Sequence, residues 1–211
     1  MQEISNHIYL MGYSGHAYVV LESAQRLGIK IYGYVDRYRN TTNPYNLIYS
    51  GSEHEEKFEA WEENSQFILA VGDNELRRKI GLLIRSKRKE CLTIIDPSAI
   101  ISPSASISSG IYISAGAVIN AQADIGEDVI INTSAVVEHE CKVGAGSHIA
   151  PGATLLGNVE IGENVFIGAK AVLKQGVKVG DNVIIGAGSV VIDSIDSNLK
   201  IVGNPAKRIL E

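Results

Sequence analysis

From Ile95 to Val191 an aliphatic residue returns at every sixth position without interruption, through Ile101, Ile107 and Ile113 to Leu173, Val179 and Ile185. Four residues after many of these sits a second apolar or small side chain, such as Ala117, Val129, Ala135, Cys141, Ala153, Val165 and Val183. A helix cannot hold such positions on one face, because six residues rotate it by about 600° and the stripe wanders around the cylinder. A solenoid of short strands can. Three hexapeptides close one triangular coil, coils stack at about 4.8 Å, and the aliphatic position always points into the prism.

The fourth position of each repeat is mostly Gly, Asn, Ser or Asp, as at Ser98, Gly110, Gly116, Asp128, Ser134, Gly146, Gly152, Asn158, Asn164, Gly176, Asn182 and Gly188. Gly and Asn accept positive φ at little cost, which is what a bend at each vertex requires. Pro97, Pro103 and Pro151 fall beside these vertices, where a missing N–H does not interrupt a ladder.

Ahead of the repeat the period changes. His7 to Met11 reads as a strand, Gly12 to His16 as a tight loop, His16 to Leu27 as a helix and Ile31 to Val35 as a second strand ending at Asp36. Glu53 to Trp61 suggests a short helix, Phe67 to Gly72 a third strand, and Asn74 to Ser86 a helix with basic residues in its later turns. Leu92 to Ile95 then leads into the repeat. Strands alternating with helices predict an α/β, Rossmann-like parallel sheet over residues 1–94, followed by an all-β solenoid with its carboxy-terminal tail over 95–211. Asp96-Pro97 marks the boundary.

The 211 residues carry a net charge of −5 and are 45% hydrophobic, which argues against nucleic acid and membrane surfaces as partners. No segment has the length of a membrane span, and Met1 to Leu10 lacks the features of a secretion signal, so a cytoplasmic location is expected. Cys91 and Cys141 suit a reducing compartment, with Cys141 at an inward, core position of its repeat.

One repeat departs from the vertex rule. In Val137-Glu138-His139-Glu140-Cys141-Lys142 the corner carries His139 and Glu140. Histidine supplies a base near neutral pH, and an adjacent carboxylate fixes its tautomer and increases its basicity, so the corner reads as catalytic rather than as a solvated polar turn. Gly157 lies eighteen residues on, one full coil, and is therefore stacked beside His139. Its backbone N–H suits an oxyanion donor, and turn geometry alone accounts for it equally well. Asn132 and His148 open and close the same coil and are candidates for the groove that begins at His139. No metal site is expected, since the solenoid has only these two histidines and no cysteine cluster. Gly12-Tyr-Ser-Gly15-His16 is not the G-x-G-x-x-G of dinucleotide binding, so NAD is not expected, although a glycine loop before a helix still offers N–H groups to a phosphate.

The segment Asn132 to Cys141, Gly157-Asn158, and Val202-Gly-Asn-Pro-Ala-Lys-Arg208, together with Gly12 to Ala17, Asp36 and Val71 to Glu75, resembles the bacterial sialic acid O-acetyltransferase and nucleotide-amino-sugar N-acetyltransferase family of hexapeptide-repeat proteins. The resemblance implies a left-handed parallel β-helix, a hand opposite to the usual parallel crossover. It implies His139 as general base, Glu140 increasing its basicity and Asn132 positioning the site. It also implies contacts to acetyl-CoA from His148 and the backbone near Gly157, Ala169 and Ala187, and homotrimers with sites between subunits. The amino-terminal domain is then the holder of a nucleotide-sugar, through Ser14, Gly15, His16, Asp36 and Gly72. The chain reads Asp36-Arg37 where many relatives have two acidic residues, which makes Arg37 a candidate determinant of nucleotide or sugar choice. The expected reaction is transfer of acetyl from acetyl-CoA to the 4-amino group of a UDP-linked amino-dideoxy sugar of bacillosamine type, in bacterial surface glycan or glycoprotein synthesis. O-acetylation of a sialic-acid-like sugar is the alternative, ahead of a metal-dependent hydratase or a non-enzymatic solenoid scaffold.

Overall fold

The computed structural model of the chain describes residues 7–55, 57–61 and 64–208. Its first part is a parallel sheet of β1 (His7–Met11), β2 (Gly33–Val35), β3 (Ile48–Tyr49), β4 (Ser65–Leu69) and β5 (Glu90–Cys91), ordered β3-β2-β1-β4-β5. Both faces are buried, which is why Tyr9-Leu10-Met11 and Phe67-Ile68-Leu69 are apolar without alternation. Leu10 and Ile68 pack towards α1 (Gly15–Arg26), whereas Tyr9, Met11, Phe67 and Leu69 share a core with Ile80 and Ile84 of α2 (Asn74–Ser86).

The expected bounds hold for β1 and α2 and shift elsewhere. Instead of a helix from Glu53, the described residues have only a 3₁₀ turn at Glu59–Trp61, because Gly51 lies at φ 90° and the Glu55 carboxylate accepts the Ser52 N–H. The third strand ends at Leu69, and the carbonyls of Val71 and Gly72 turn instead to the Arg77 guanidinium. The second strand starts at Gly33, two residues later than expected. Strands β3 and β5 are two residues each, too short to leave a periodic signature.

The repeat forms a left-handed triangular solenoid of two-residue parallel strands. Strands eighteen residues apart pair in register, as Val118 with Val136 and Ile119 with Val137. The first face runs from Ile100–Ile101 to Val190–Val191, the second from Ser106–Ile107 to Lys178–Val179, and the third from Ile94–Ile95 to a terminal hairpin at Lys200–Gly203 and Ala206–Arg208. The second residue of each strand points inward, and with the alanines, valines and Cys141 of the corners they form one continuous core. Every expected vertex from Gly110 to Gly188 has positive φ, as do Gln122, Glu140 and Lys170.

The third face carries the amino-terminal domain. Tyr112 and Ile130 point outward from it into the core formed by Ala17, Val20, Leu21 and Ala24 of α1. Asp96, where the sequence marks the boundary, is buried and fastens the two parts: its carboxylate accepts the Ser23 hydroxyl at 2.6 Å and pairs with Arg26. At the edge between the second and third faces, the buried Asp128 carboxylate pairs with Arg78 and Arg85 of α2. A side chain at Gly81 would collide with that carboxylate, which accounts for a glycine inside a helix, where it costs about 1 kcal/mol against alanine.

Candidate active site

His139 stands at the edge between the first and second faces with half of its side chain exposed. Its Nδ1 lies 3.1 Å from Glu140 Oε2. Donation of Nδ1–H to that carboxylate leaves the lone pair on Nε2, the tautomer a general base requires. Glu140 reaches this position from φ 60°, a conformation that costs a non-glycine residue about 1 kcal/mol or more.

Gly157 is stacked on His139 as the eighteen-residue period requires, and the Asn158 N–H donates to the His139 carbonyl at 2.8 Å. A Cβ at residue 157 would sit 2.5 Å from both Cε1 and Nε2 of the imidazole. The φ of Gly157 is not in the left-handed region, so turn geometry does not demand glycine here; the ring does. From Ser109 to Ala187 this position carries a backbone N–H at every corner except Pro151. Side chains cap the N–H groups of Thr133, His139, Glu163 and Asp181, whereas those of Gly157, Ala169 and Ala187, like those of Ala145 and Gln175, have no acceptor among the described residues. Free N–H groups of this kind suit the carbonyls of an extended acyl-carrying chain. Gly157 lies on the His139 edge; Ala169 and Ala187 lie on the edge between the third and first faces.

Asn132 and His148 form a pair at that other edge. The Thr133 N–H donates to Asn132 Oδ1 at 2.8 Å, so the amide Nδ2 donates to His148 Nε2 at 3.0 Å. The neutral His148 ring then carries its proton on Nδ1. His148 is 7% exposed, beside Phe166 and His16, and burial followed by the Arg77 charge and His16 pushes it down to about 3. Burial and Arg77 likewise bring His16 down to about 4. Two neutral imidazoles thus meet at the junction of the parts; His16 Nε2 is buried without a hydrogen-bond partner among the described residues, and His148 Nδ1 is buried facing the Gly72 carbonyl.

The carboxyl ends of β1, β2 and β4 surround a cavity of about 710 Å³ lined by Gly12, Asp36, Arg37, Tyr38, Glu53 and His54, among others. That is the crevice where open parallel sheets take ligands, beside the point at which strand order reverses. Asp36 lines it but also ties loops together, accepting the N–H groups of Tyr13 and Arg37 and the Asn40 amide. Ser14 makes no capping bond through its side chain, and with Gly15 it is exposed at the start of α1. Gly72 borders a second cavity of about 400 Å³ between the first turn of α2 and the third face, with Asn74, Asn164 and Phe166.

Within one chain, then, His139, Glu140 and Gly157 form one group, Asn132, His148 and His16 a second, and Asp36 and Arg37 a third. Among the described residues, the contacts of the His139 group include no residue of the other two. His54 is exposed, as read from sequence, and also borders the sheet cavity together with Ser52 and Glu53; the glycine at 51 was the available sign of a turn there. Arg77, also unremarked in the sequence, is buried and bound to both parts.

Comparison with known proteins follows this division. Residues 7–81 match the PglD N-terminal domain, and residues 123–157 and 158–193 match the bacterial transferase hexapeptide repeat. The acetyltransferase domain of PglB from Neisseria gonorrhoeae, solved with acetyl coenzyme A, is 35% identical over 97% of this chain and 100% of its own, with a TM-score of 0.90. A histidine-to-asparagine variant of perosamine N-acetyltransferase from Caulobacter crescentus, solved with CoA and GDP-perosamine, is 34% identical over 98% of each chain, with a TM-score of 0.92. WeeI from Acinetobacter baumannii, at 21% identity, shares the fold. A comparison with curated proteins gave no match. With both domains matched in order and relatives above 30% identity spanning nearly the whole length, the chain belongs to the PglD-like sugar acetyltransferases of the hexapeptide-repeat superfamily.

Proposed function

We propose that this protein is an acetyl-CoA-dependent sugar N-acetyltransferase whose acceptor is a nucleotide-linked 4-amino sugar, UDP-linked and of bacillosamine type, with His139 as general base. The observation that carries the reading is the His139 corner: an imidazole held by Glu140 through Nδ1, with Nε2 facing outward over a glycine that its ring requires. Relatives of matching length bind acetyl coenzyme A, or CoA together with GDP-perosamine, which supports both substrate classes.

In this mechanism Nε2 of His139 takes one proton from the sugar amine as its nitrogen bonds to the thioester carbon. The N–H of Gly157 faces the oxygen that gains negative charge. As the carbon–sulfur bond breaks, the imidazolium returns the proton to the departing sulfur, giving the amide and free CoA. His148 is excluded from the base role, because its Nε2 lone pair accepts from Asn132 and burial keeps it neutral. Asn132 and His148 instead shape the adjoining wall, and the N–H groups of Ala169 and Ala187 offer donors along the same edge for the pantetheine amides.

The three groups of residues meet through a neighbouring copy. The outward residues of the first face, Val118, Val136, Thr154, Val172 and Val190, are small or apolar and uncovered by this chain's own amino-terminal domain. That face lies between the His139 edge and the Asn132 edge, so a homotrimer packed along it brings one copy's His139 to the next copy's Asn132, His148 and nucleotide-sugar cavity. The direct test is to incubate the protein with acetyl-CoA and a panel of UDP- and GDP-linked 4-amino sugars and sialic acids while following thiol release. Release with a UDP-linked amino sugar is expected; release only with a sialic acid hydroxyl acceptor overturns the N-acetyltransferase reading.

A further inference from the structure

Arg77 stands apart from every group so far given a role. It lies in the first turns of α2, is 1% exposed, and its guanidinium makes no ion pair with a carboxylate among the described residues. Its donors go to main-chain carbonyls and one amide. Nε donates to the Asp128 carbonyl at 2.7 Å, Nη1 to those of Val71 and Gly72 at 3.2 and 3.0 Å, and Nη2 to those of Gly146 and Ser147 at 2.7 and 3.3 Å and to Asn74 Oδ1 at 3.0 Å. The planar fork of arginine is suited to binding several fixed acceptors at once, and lysine cannot reproduce it. Burial draws the guanidinium down to about 10, against the opposing pull of Asp128 and Asp73, so it remains charged at neutral pH.

The two ends of this cluster are not equivalent structural elements. Val71 borders the sheet cavity and Gly72 the neighbouring one, whereas Gly146 and Ser147 immediately precede His148 in the solenoid coil that also holds Asn132. Asn74 adds a second brace, its Nδ2 donating to the Val165 carbonyl, one coil beyond Ser147.

We propose that Arg77 is a positioning residue for acetyl transfer: by binding the Val71–Gly72 loop and the Gly146–Ser147 corner through one guanidinium, it fixes the acceptor-holding loop against the coil of His148 and Asn132. The proposal rests on the acetyltransferase reading. A strand end and a solenoid corner have no covalent or ladder connection here; the α1 core and the Asp96 and Asp128 pairs hold the two parts together, and this group with its Asn74 brace sets the local spacing of loop and coil. Burial first, and this charge second, hold His16 and His148 neutral at the junction. Such a role predicts a larger loss of turnover than of carrier binding, because the CoA edge meets the cluster only through His148 and not through the Val71–Gly72 loop.

The test uses the full chain with Arg77→Lys, Arg77→Met and Asn74→Ala, each checked for wild-type assembly. Turnover, the dissociation constants of CoA and of the nucleotide-sugar, and amide exchange at residues 71–74 and 146–148 are measured. We expect kcat to fall at least tenfold for both Arg77 variants and two- to fivefold for Asn74→Ala, with the CoA constant within twofold and exchange faster at both ends of the cluster together. Unchanged kcat in a folded Arg77 variant overturns the proposal, as does a loss of activity that merely tracks the fraction of CoA-binding protein. Should the Arg77 variants fail to fold, unchanged kcat in Asn74→Ala overturns it instead. A wild-type protein without acetyl transfer sinks the enzymatic reading, and the exchange pattern then decides separately whether Arg77 couples the loop to the coil.

Discussion

Gly157→Ala isolates the requirement that His139 places on its neighbouring coil. The added methyl carbon would lie 2.5 Å from Cε1 and Nε2 of the imidazole. Carbon contacts relax at about 3.5 Å or more, so the ring must retreat by about 1 Å. The solenoid backbone has little freedom to yield, since Gly157 accepts from the Gly176 N–H and its flanks are paired above and below. The retreat therefore falls on the side chain, moving Nε2 and straining the 3.1 Å contact with Glu140. A displacement of that size costs roughly 10²-fold in rate when it moves a reacting group. Alanine adopts the Gly157 φ without strain, and replacing glycine lowers the entropy of the unfolded chain, so stability should stay within about 1 kcal/mol of wild type.

The assay is acetyl-CoA-dependent thiol release with the best acceptor, alongside thermal melting and CoA titration. A drop of about 10²-fold in kcat is expected, with unfolding midpoint and CoA affinity nearly unchanged. The double mutant sharpens the outcome. In a His139→Ala background there is no ring to displace, so adding Gly157→Ala should change nothing further. Wild-type turnover in Gly157→Ala, or fully additive losses in the double mutant, would refute the idea that Gly157 exists to seat the catalytic imidazole.

Other consequences are open to the same assays. His139→Ala should lower kcat by ~10² to 10⁴-fold with little change in CoA binding, and near-wild-type activity in a correctly assembled variant would remove His139 as the base. The buried His16 and His148 have folded pKa values of about 4 and 3 against 6.5, so the unfolded chain binds protons first as pH falls. Stability should thus be complete above about pH 6.5 and decline below it, by on the order of 2 kcal/mol per histidine at pH 5, with His148→Gln flattening the slope in pH-dependent melts. Asp128→Asn strands Arg78 and Arg85 beside a buried amide and should cost about 2 to 4 kcal/mol in urea unfolding; a loss under 1 kcal/mol would mean the clasp contributes little.

The solenoid was legible because its repeat is strict: an inward aliphatic residue every six positions has no other compact solution, and positive φ appeared at each expected vertex from Gly110 onward. Helix α2 was equally clear, since Asp73 caps the Leu76 N–H and the apolar spacing begins at once. The junction was not. Asp96 read only as a boundary marker and Arg77 went unremarked, because nothing local marks a charge for burial; their partners, Ser23 and the carbonyls of Gly146 and Ser147, lie 73, 69 and 70 residues away. The 53–61 stretch failed for the opposite reason, with helix-forming residues overruled by a turn at Gly51 and the Glu55 carboxylate.

A broken vertex rule was also a weaker sign of function than it first looks. Gln122 and Lys170 occupy left-handed corners just as Glu140 does, and the stem of Lys170 rests near Gly152 without any catalytic arrangement beside it. What separates the His139 corner is its effect on the next coil. The corner position held by His139 recurs every six residues as Ala145, Pro151, Gly157, Glu163, Ala169, Gln175, Asp181 and Ala187, and in this run glycine occurs once, one coil after the histidine. Backbone geometry does not call for glycine at that position, since alanine, glutamate and aspartate occupy its equivalents. A solenoid therefore records an unusual side chain twice, once as the residue itself and again eighteen positions later as the space it needs, and the second record is what sets the His139 corner apart from those of Gln122 and Lys170.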